Sequence, residues 1–217
     1  MKQKRLKIIA VGILLAAIVL VIFSIMSRFS YKGTSIKRPR NAYKKKIEQF
    51  KSATDKDGDG IDDQSDILNS ALEYIQTKPK YESRYYIGGS PDDGYGVCTD
   101  VVAMGLKGAG YDLQKLVAED IKEHPENYDI KVADSNIDYR RVRNLQVYFK
   151  NNTKSLGTDI SKIEEWQGGD IVIFKKHIGI VSDRRDKNGV PYIIHHGSKI
   201  QRAYEQNYLK GKADEIV

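Results

Sequence analysis

The sequence contains a single cysteine, Cys98, and only four histidines among its 217 residues. One cysteine cannot form an internal disulfide, so its thiol is either free or joined to another molecule. No internal repeat is visible along the chain, so nothing in the sequence suggests a repeat architecture. The length accommodates one ordinary globular domain together with an appendage.

Acidic residues are almost missing from the N-terminal quarter of the chain. Residues 1–51 hold thirteen Lys and Arg against one acid, Glu48, whereas the whole chain has a net charge of +7, so residues 52–217 carry −5. We predict a basic stalk over residues 28–51, which could bind anionic lipid headgroups or anionic wall polymers, or serve only as a solvated linker. No nucleic-acid-binding motif accompanies this charge, so we expect no nucleic-acid partner.

A run of nineteen uncharged, almost wholly apolar residues, 8–26, follows the basic N-terminal head. At about 1.5 Å per residue it would cover roughly 28 Å, close to the hydrocarbon thickness of a bilayer. It lacks the polar face of a soluble helix, and its end lacks the small-residue pattern of a signal-peptide cleavage site. We therefore predict an uncleaved, single-pass transmembrane anchor over residues 1–27, with a cytoplasmic N-terminus and an extracellular remainder.

The remainder, residues 52–217, is predicted to be an α+β domain in which helices precede an antiparallel sheet. A segment rich in Tyr, Gly and Ser, residues 81–96, predicts a loop. Apolar residues at helical spacing predict helices after residue 66, from Cys98 to the glycines at 108 and 110, over 113–124 and over 137–151. Short β-branched segments predict strands at 170–174, 177–182 and 191–196, and Asn188-Gly189 predicts a hairpin turn before the last one.

Cys98 opens the second predicted helix, where unpaired backbone N–H groups and the helix dipole favour a thiolate. A neutral imidazole nearby could take its proton and create a nucleophile able to attack a carbonyl. His177 leads an apolar strand beside Gly179, a position that suits a base facing a cleft. On these residues alone, Cys98 could instead be a buried structural thiol, and His177 a hydrogen-bonded core histidine.

Several motifs resemble those of known families. Gly-Asp-Ile-Val-x-Phe followed by His-Ile-Gly-Ile-Val, within residues 169–181, is similar to the C-terminal signature of NlpC/P60-type cysteine peptidases. More closely, the chain resembles the bacterial DUF1287 family in stretches that occur in order at residues 96–102, 136–145, 169–172, 177–183 and 193–195. The resemblance implies a papain-like fold with Cys98 as the nucleophile and His177 as its base.

The resemblance also implies a third polar residue on the following strand, which matches His195 and would fix the tautomer of His177. The related pattern has His followed by Asn, whereas here His195 is followed by His196. Successive strand side chains point to opposite faces of a sheet, so only one of the two can support His177. We favour His195.

Charged residues near the predicted nucleophile have two interpretations. Asp100 could stabilise the start of its helix, or fix the wall of a cleft through Arg140 or Arg141. Asp138 and the two arginines could form a clamp for a substrate carboxylate, or a buried ion-pair brace. We favour the brace, because such a brace can position a catalytic helix.

The acidic segment 55–66 follows the template of a calcium-binding loop. Five carboxylates this close repel one another, and a cation relieves the repulsion, although a solvated acidic loop is the alternative. We predict one structural Ca²⁺ and no cofactor for catalysis. The predicted ligands are oxygen atoms of Asp55, Asp57, Asp59, Ile61 (through its carbonyl), Asp63 and Asp66.

These features together predict an extracytoplasmic cysteine peptidase or amidase that hydrolyses an amide bond, with peptidoglycan peptide as the favoured substrate. An acyltransferase on the same fold is one alternative, and a non-catalytic, calcium-dependent wall-binding module is another. A zinc site of Cys98, His177 and one further histidine is a third alternative, although these residues lack the short spacing of most zinc ligands.

Overall fold

The computed structural model describes residues 12, 13, 15, 17–21 and 33–217. The predicted anchor, residues 1–27, lies mainly outside the described residues, and those described within it are helical. Among the described residues, no helix is both long and apolar enough to cross a membrane. The chain divides into two compact units, Met1–Gly33 and Thr34–Val217, and all elements named below belong to the second.

Four α-helices of this unit precede the main sheet: α1 (Asp63–Gln76), α2 (Cys98–Gly108), α3 (Leu113–Glu123) and α4 (Val142–Asn152). Helix α1 begins after Asp62, whose carboxylate accepts the N–H of Ser65 and so caps the first turn. The helix predicted over residues 137–151 is broken, because Arg141 has extended backbone angles between a 3-10 turn, Asp138–Arg140, and α4.

The main sheet is antiparallel, with the strand order β3-β4-β5-β6. Its strands are β3 (Ile171–Phe174), β4 (His177–Arg185), β5 (Pro191–Ile194) and β6 (Glu205–Gln206). Gly189, at φ +89°, lies in the predicted turn between β4 and β5. Two further strands, β1 (Lys80–Tyr81) and β2 (Tyr95–Gly96), form a small parallel pair where the sequence predicted only a loop. The strands β1, β2 and β6 have two residues each, which is too short for an alternation of apolar and polar residues that would predict a strand.

The core joins the first two helices to one face of the sheet. Val101 and Val102 of α2 and Ile178 and Ile180 of β4 belong to the same buried cluster. A side chain at Gly105 would lie 2.7 Å from Ile180 Cδ1, so the glycine allows α2 to approach the strand closely. This packing fixes α2, which begins with Cys98, against the strand that begins with His177. A second buried cluster contains residues of β3, β4 and β5 that do not belong to the first. It includes Phe174, Val181, Ile193 and Leu209.

Residues 34–51, here called the arm, lie against the domain, whereas we had predicted a free basic stalk over residues 28–51. The Ser35 N–H donates to the carbonyl of Arg202 at 2.9 Å, and the Ala42 N–H donates to that of Arg185 at 2.8 Å. Arg38 forms ion pairs with Asp183 and with Glu205, whose side chain is only 2% exposed. The compact unit therefore begins at Thr34 and not at residue 52, because backbone hydrogen bonds and the ion pairs of Arg38, one of them to the buried Glu205, hold the arm to the domain.

We predict that Arg38→Ala lowers the free energy of unfolding by about 1–3 kcal/mol, because it leaves Glu205 buried without its cation. Arg40→Ala removes the same charge from an exposed position and should change stability by less than about 0.5 kcal/mol. Denaturant unfolding measures both, and trypsin should cleave the arm at residues 44–46 faster in Arg38→Ala. Equal stability and equal cleavage of the two variants would show that the arm does not depend on this pair.

Candidate active site

Cys98 is the first residue of α2 and is partly exposed. At this position the first N–H groups of the helix have no intrahelical acceptor. The backbone N–H groups of Cys98, Thr99 and Ile178 lie close enough to the sulfur to lower its pKa. Because Ile178 follows His177 on β4, the thiol lies at the start of the strand that carries the predicted base.

The protonation state of the thiol differs from our expectation. Burial, together with the nearby carboxylate of Asp100, raises the pKa of Cys98 to about 11, although the three backbone N–H groups act in the opposite direction. We had expected the helix N-terminus to produce a thiolate. Removal of the sulfur from water outweighs that effect, and Cys98 is a neutral thiol at pH 7 in the free protein.

His177 and His195 form a hydrogen-bonded pair, with 2.8 Å between His177 Nε2 and His195 Nδ1. The register of β4 and β5 pairs Ile180 with Ile194, and continuing it places His195 opposite Gly179. A Cβ at Gly179 would lie 3.2 Å from that of His195 and 2.9 Å from the Ile194 carbonyl, so the glycine permits this approach. His195 therefore shares a sheet face with His177.

Gln206, on β6, determines which ring nitrogens of this pair carry protons. Its Oε1 lies 3.2 Å from His195 Nε2 and can only accept a hydrogen bond, so His195 carries its proton on Nε2. His195 Nδ1 must then accept, and His177 must donate from Nε2. This leaves His177 Nδ1 without a proton, as a base requires.

His196 lies on the opposite face of the sheet. Its ring packs edge-on against Tyr81, at 5.3 Å between centroids, and against Tyr204, at 5.1 Å. Its Nδ1 is buried and has no hydrogen-bond partner among the described residues. His195, and not His196, therefore contacts His177. The catalytic role of either residue is still a prediction.

An aromatic side chain covers the histidine pair. The ring centroid of Tyr208 lies 5.0 Å from that of His177 and 4.6 Å from that of His195. Burial lowers the pKa of His177 to about 4 and that of His195 to about 3, so both imidazoles are neutral at pH 7. Sequence reasoning missed Gln206 and Tyr208, because the recognisable motifs end near Gly197 and β6 is too short to show a pattern.

Asp100 and Arg140 form a buried ion pair behind the nucleophile. Arg140 Nε and Nη2 lie 2.7 and 2.9 Å from the two carboxylate oxygens of Asp100. Asp100 also accepts the Val97 N–H at 2.8 Å, which secures the residue before the helix. Arg140 donates its remaining terminal nitrogen to the Arg84 carbonyl. All these groups are satisfied within the protein, which is the arrangement of a brace and not of a substrate clamp. The brace joins Arg140 to Asp100, whereas we had predicted it among Asp138, Arg140 and Arg141.

Arg141 lies apart from this brace. It contacts Asp138 at 3.4 Å, and its side chain is 41% exposed, whereas Asp138 is buried. Asp138 also accepts the N–H of Asp134 at 2.6 Å, so its carboxylate mainly holds the turn before α4. Of the two arginines, only Arg140 is joined to the helix of Cys98.

The acidic segment brings three of its predicted ligands together. Carboxylate oxygens of the exposed residues Asp55, Asp57 and Asp59 lie within 4.8 Å of one another. Asp63 is engaged elsewhere, because its two oxygens accept hydrogen bonds from Thr54, the Lys56 N–H and Tyr111. Asp66 is buried on the first part of α1.

Ile61, the remaining predicted ligand, is exposed and donates its N–H to Asp59 at 2.8 Å. In the described part of the chain, the three aspartates of this loop are the one group of three acidic, His or Cys residues with ligand atoms this close. Cys98 and the histidines do not converge in this way, so the zinc alternative lacks its geometry.

Comparisons with known proteins place the chain in a family. A family model described as "Domain of unknown function (DUF1287)" matches residues 68–213. The chain belongs to the DUF1287 family. It is 40% identical over 126 residues to "Uncharacterized protein YijF" of Escherichia coli (strain K12), an alignment that covers 54% of this chain and 61% of that protein. The chain therefore spans less than two thirds of that relative. No solved structure matches significantly.

The family match includes every residue of the Cys98 site and begins after the acidic segment 55–66. Membership in DUF1287 thus agrees with the resemblance in the sequence motifs. The acidic loop and the whole arm lie outside the matched residues.

We predict that Asp100→Asn destabilises the protein by about 3–5 kcal/mol, because it leaves the guanidinium of Arg140 buried without a counter-charge. Adding Arg140→Met should restore part of the loss, since the double variant buries no charge. Arg141→Ala, at the exposed neighbour, should change the free energy of unfolding by less than about 1 kcal/mol. Denaturant unfolding gives all three values. A substrate clamp would behave differently, with Arg140→Lys leaving stability unchanged and raising only KM.

The rate at which iodoacetamide modifies Cys98 should follow the thiolate fraction. We predict that the rate reaches half its maximum at a pH well above the reference thiol pKa of about 8.5, closer to 11. The same chain unfolded in urea is the matched control and should titrate near the reference value. Rapid modification of the folded protein below pH 7 would show that Cys98 is a thiolate at rest.

Proposed function

We propose that the chain is a membrane-anchored, extracytoplasmic cysteine hydrolase of the NlpC/P60 type. One observation carries the proposal: the Cys98 thiol lies beside the start of β4, where His177 is hydrogen-bonded through Nε2 to His195. The other nitrogen of His177, Nδ1, remains available to take the thiol proton. A thiol, a base and a residue that orients the base are the groups that covalent hydrolysis of an amide requires.

In the proposed reaction, the neutral thiol and neutral imidazole act together. The sulfur attacks the carbonyl carbon of the substrate while His177 Nδ1 removes the thiol proton. Positive charge then develops on His177, and His195 Nδ1 stabilises it by accepting the Nε2–H. Backbone N–H groups at the start of α2 are suited to stabilise the oxyanion.

The second half of the reaction restores the enzyme. His177 transfers its proton to the leaving amine as the C–N bond breaks, and a thioester to Cys98 remains. His177 then removes a proton from water, which attacks the thioester and releases a carboxylic acid and the free thiol. An acyltransferase would differ only in this step, where another nucleophile would replace water.

We propose peptidoglycan peptide as the substrate because the sequence predicts a membrane anchor and an extracellular domain. The predicted anchor at residues 1–27 would hold the domain close to the wall. The exposed lysines of the arm, at residues 44–46, are suited to contact anionic wall polymers. This choice of substrate depends on the predicted location, whereas the proposed reaction is argued from the geometry of the site.

The test is incubation of the full chain, in mild detergent, with purified peptidoglycan, followed by mass spectrometry of the released fragments. Cys98→Ala and His177→Ala should abolish release. His195→Ala should reduce turnover roughly 10²-fold or more, because an unoriented imidazole seldom presents the correct tautomer. His195→Asn should retain more activity than His195→Ala, since its amide oxygen can accept the His177 N–H.

His124→Ala is the matched control, because His124 is exposed and should not affect turnover. All variants must melt like the wild type for the comparison to count. Full activity of His195→Ala would refute the proposed orienting role. Peptide release by Cys98→Ala would refute the cysteine mechanism altogether, and an amide formed with an added amine would identify the acyltransferase.

A further inference from the structure

We propose that Asp55, Asp57, Asp59 and Asp66 form a site for a hard divalent cation, Ca²⁺, that stabilises the fold. The proposal is independent of the hydrolase function proposed above. It rests on two separate observations: the convergence of three exposed carboxylates, and a buried carboxylate beside them that has an unpartnered oxygen.

The first observation is the spacing of the exposed trio. Oxygens of Asp55, Asp57 and Asp59 lie within 4.8 Å of one another. Two oxygens that share a Ca²⁺, each bonded at about 2.3–2.6 Å, can be separated by at most about 5 Å. The trio therefore already has the spacing that a shared Ca²⁺ requires.

The second observation is Asp66, on the first part of α1. The residue is only 6% exposed, and its Oδ2 has no hydrogen-bond partner among the described residues. Asp55, Asp57 and Asp59 lie close enough for their negative charges to act on it. A buried carboxylate with an unpartnered oxygen, close to three other carboxylates, is costly unless a cation compensates it.

The other two acids of the segment do not belong to the site. Asp62 accepts hydrogen bonds from the Ser52 N–H, the Ser65 N–H and the Ser65 hydroxyl, and so caps α1. Asp63 is held by Thr54 and Tyr111. The ligand set therefore differs from the sequence template, which had included Asp63 and the carbonyl of Ile61.

The position of the loop indicates what the ion would stabilise. Gly110, at φ +77°, comes just after α2. A Cβ atom added at Gly110 would lie 3.1 Å from Asp57 Cβ, so the loop lies against the end of that helix. Tyr111, the next residue, donates its hydroxyl to Asp63 at 2.6 Å. A bound ion would thus fix the loop, the start of α1 and the C-terminal end of the Cys98 helix relative to one another.

The experiment compares thermal unfolding of the full chain in detergent with EDTA and with millimolar CaCl₂. We expect Ca²⁺ to raise Tm by about 5 °C, and Asp57→Asn and Asp66→Asn to abolish the rise. With EDTA, Asp66→Asn should melt at or above the wild-type temperature, because it removes an unpaired buried charge. A merely structural carboxylate would give the opposite result, with a lower Tm in EDTA.

Asp92→Asn removes one exposed carboxylate from another loop and should keep the full Ca²⁺ response. Cys98→Ala should also keep it, so this test can succeed or fail independently of the hydrolase proposal. Identical melting in Ca²⁺ and EDTA would overturn the proposal. So would an equal rise in Tm with NaCl at matched ionic strength, or a Ca²⁺ response that survives Asp66→Asn.

Discussion

The candidate site depends on the buried ion pair between Asp100 and Arg140. The pair secures Val97, the residue before α2, and reaches the Arg84 carbonyl in the preceding loop. It therefore determines where the helix of Cys98 begins. The backbone N–H groups of the first two residues of this helix and of Ile178 on β4 lie near the sulfur, and a shift of the helix start would move the sulfur away from β4. A desolvated pair adds little net stability, but it makes alternative positions of the helix costly.

The second constraint is the register between β4 and β5. A slip of one residue would move His195 to the helix-facing side of the sheet and bring His196 beside His177. Buried residues on both faces oppose this slip, because Ile193 and Ile194 belong to different core clusters. Gly179 supports the observed register, since it lets the backbone of β5 approach β4 at the level of His195.

Local signals in the sequence predicted the elements that carry the site, and tertiary contacts account for what was missed. The start of α2 at Cys98 and the strands of both histidines follow from periodicity and turn residues, which act over a few positions. Gln206 could not be predicted, because β6 has two residues and only its pairing places it beside His195. The docking of the arm could not be predicted for a similar reason. The acidic partners of Arg38 lie 145 and 167 residues away in the sequence.

The raised pKa of Cys98 also lay beyond sequence reasoning, because the helix position is local whereas desolvation comes from the whole fold. This neutral thiol has a chemical consequence outside the cell, where the domain is proposed to lie. Oxidants such as peroxides react with the thiolate form of cysteine. With a pKa of about 11, Cys98 is a thiolate in only roughly one molecule in ten thousand at pH 7. The lone cysteine would thereby resist conversion to sulfenic acid and stay reduced until, in the proposed reaction, its proton passes to His177.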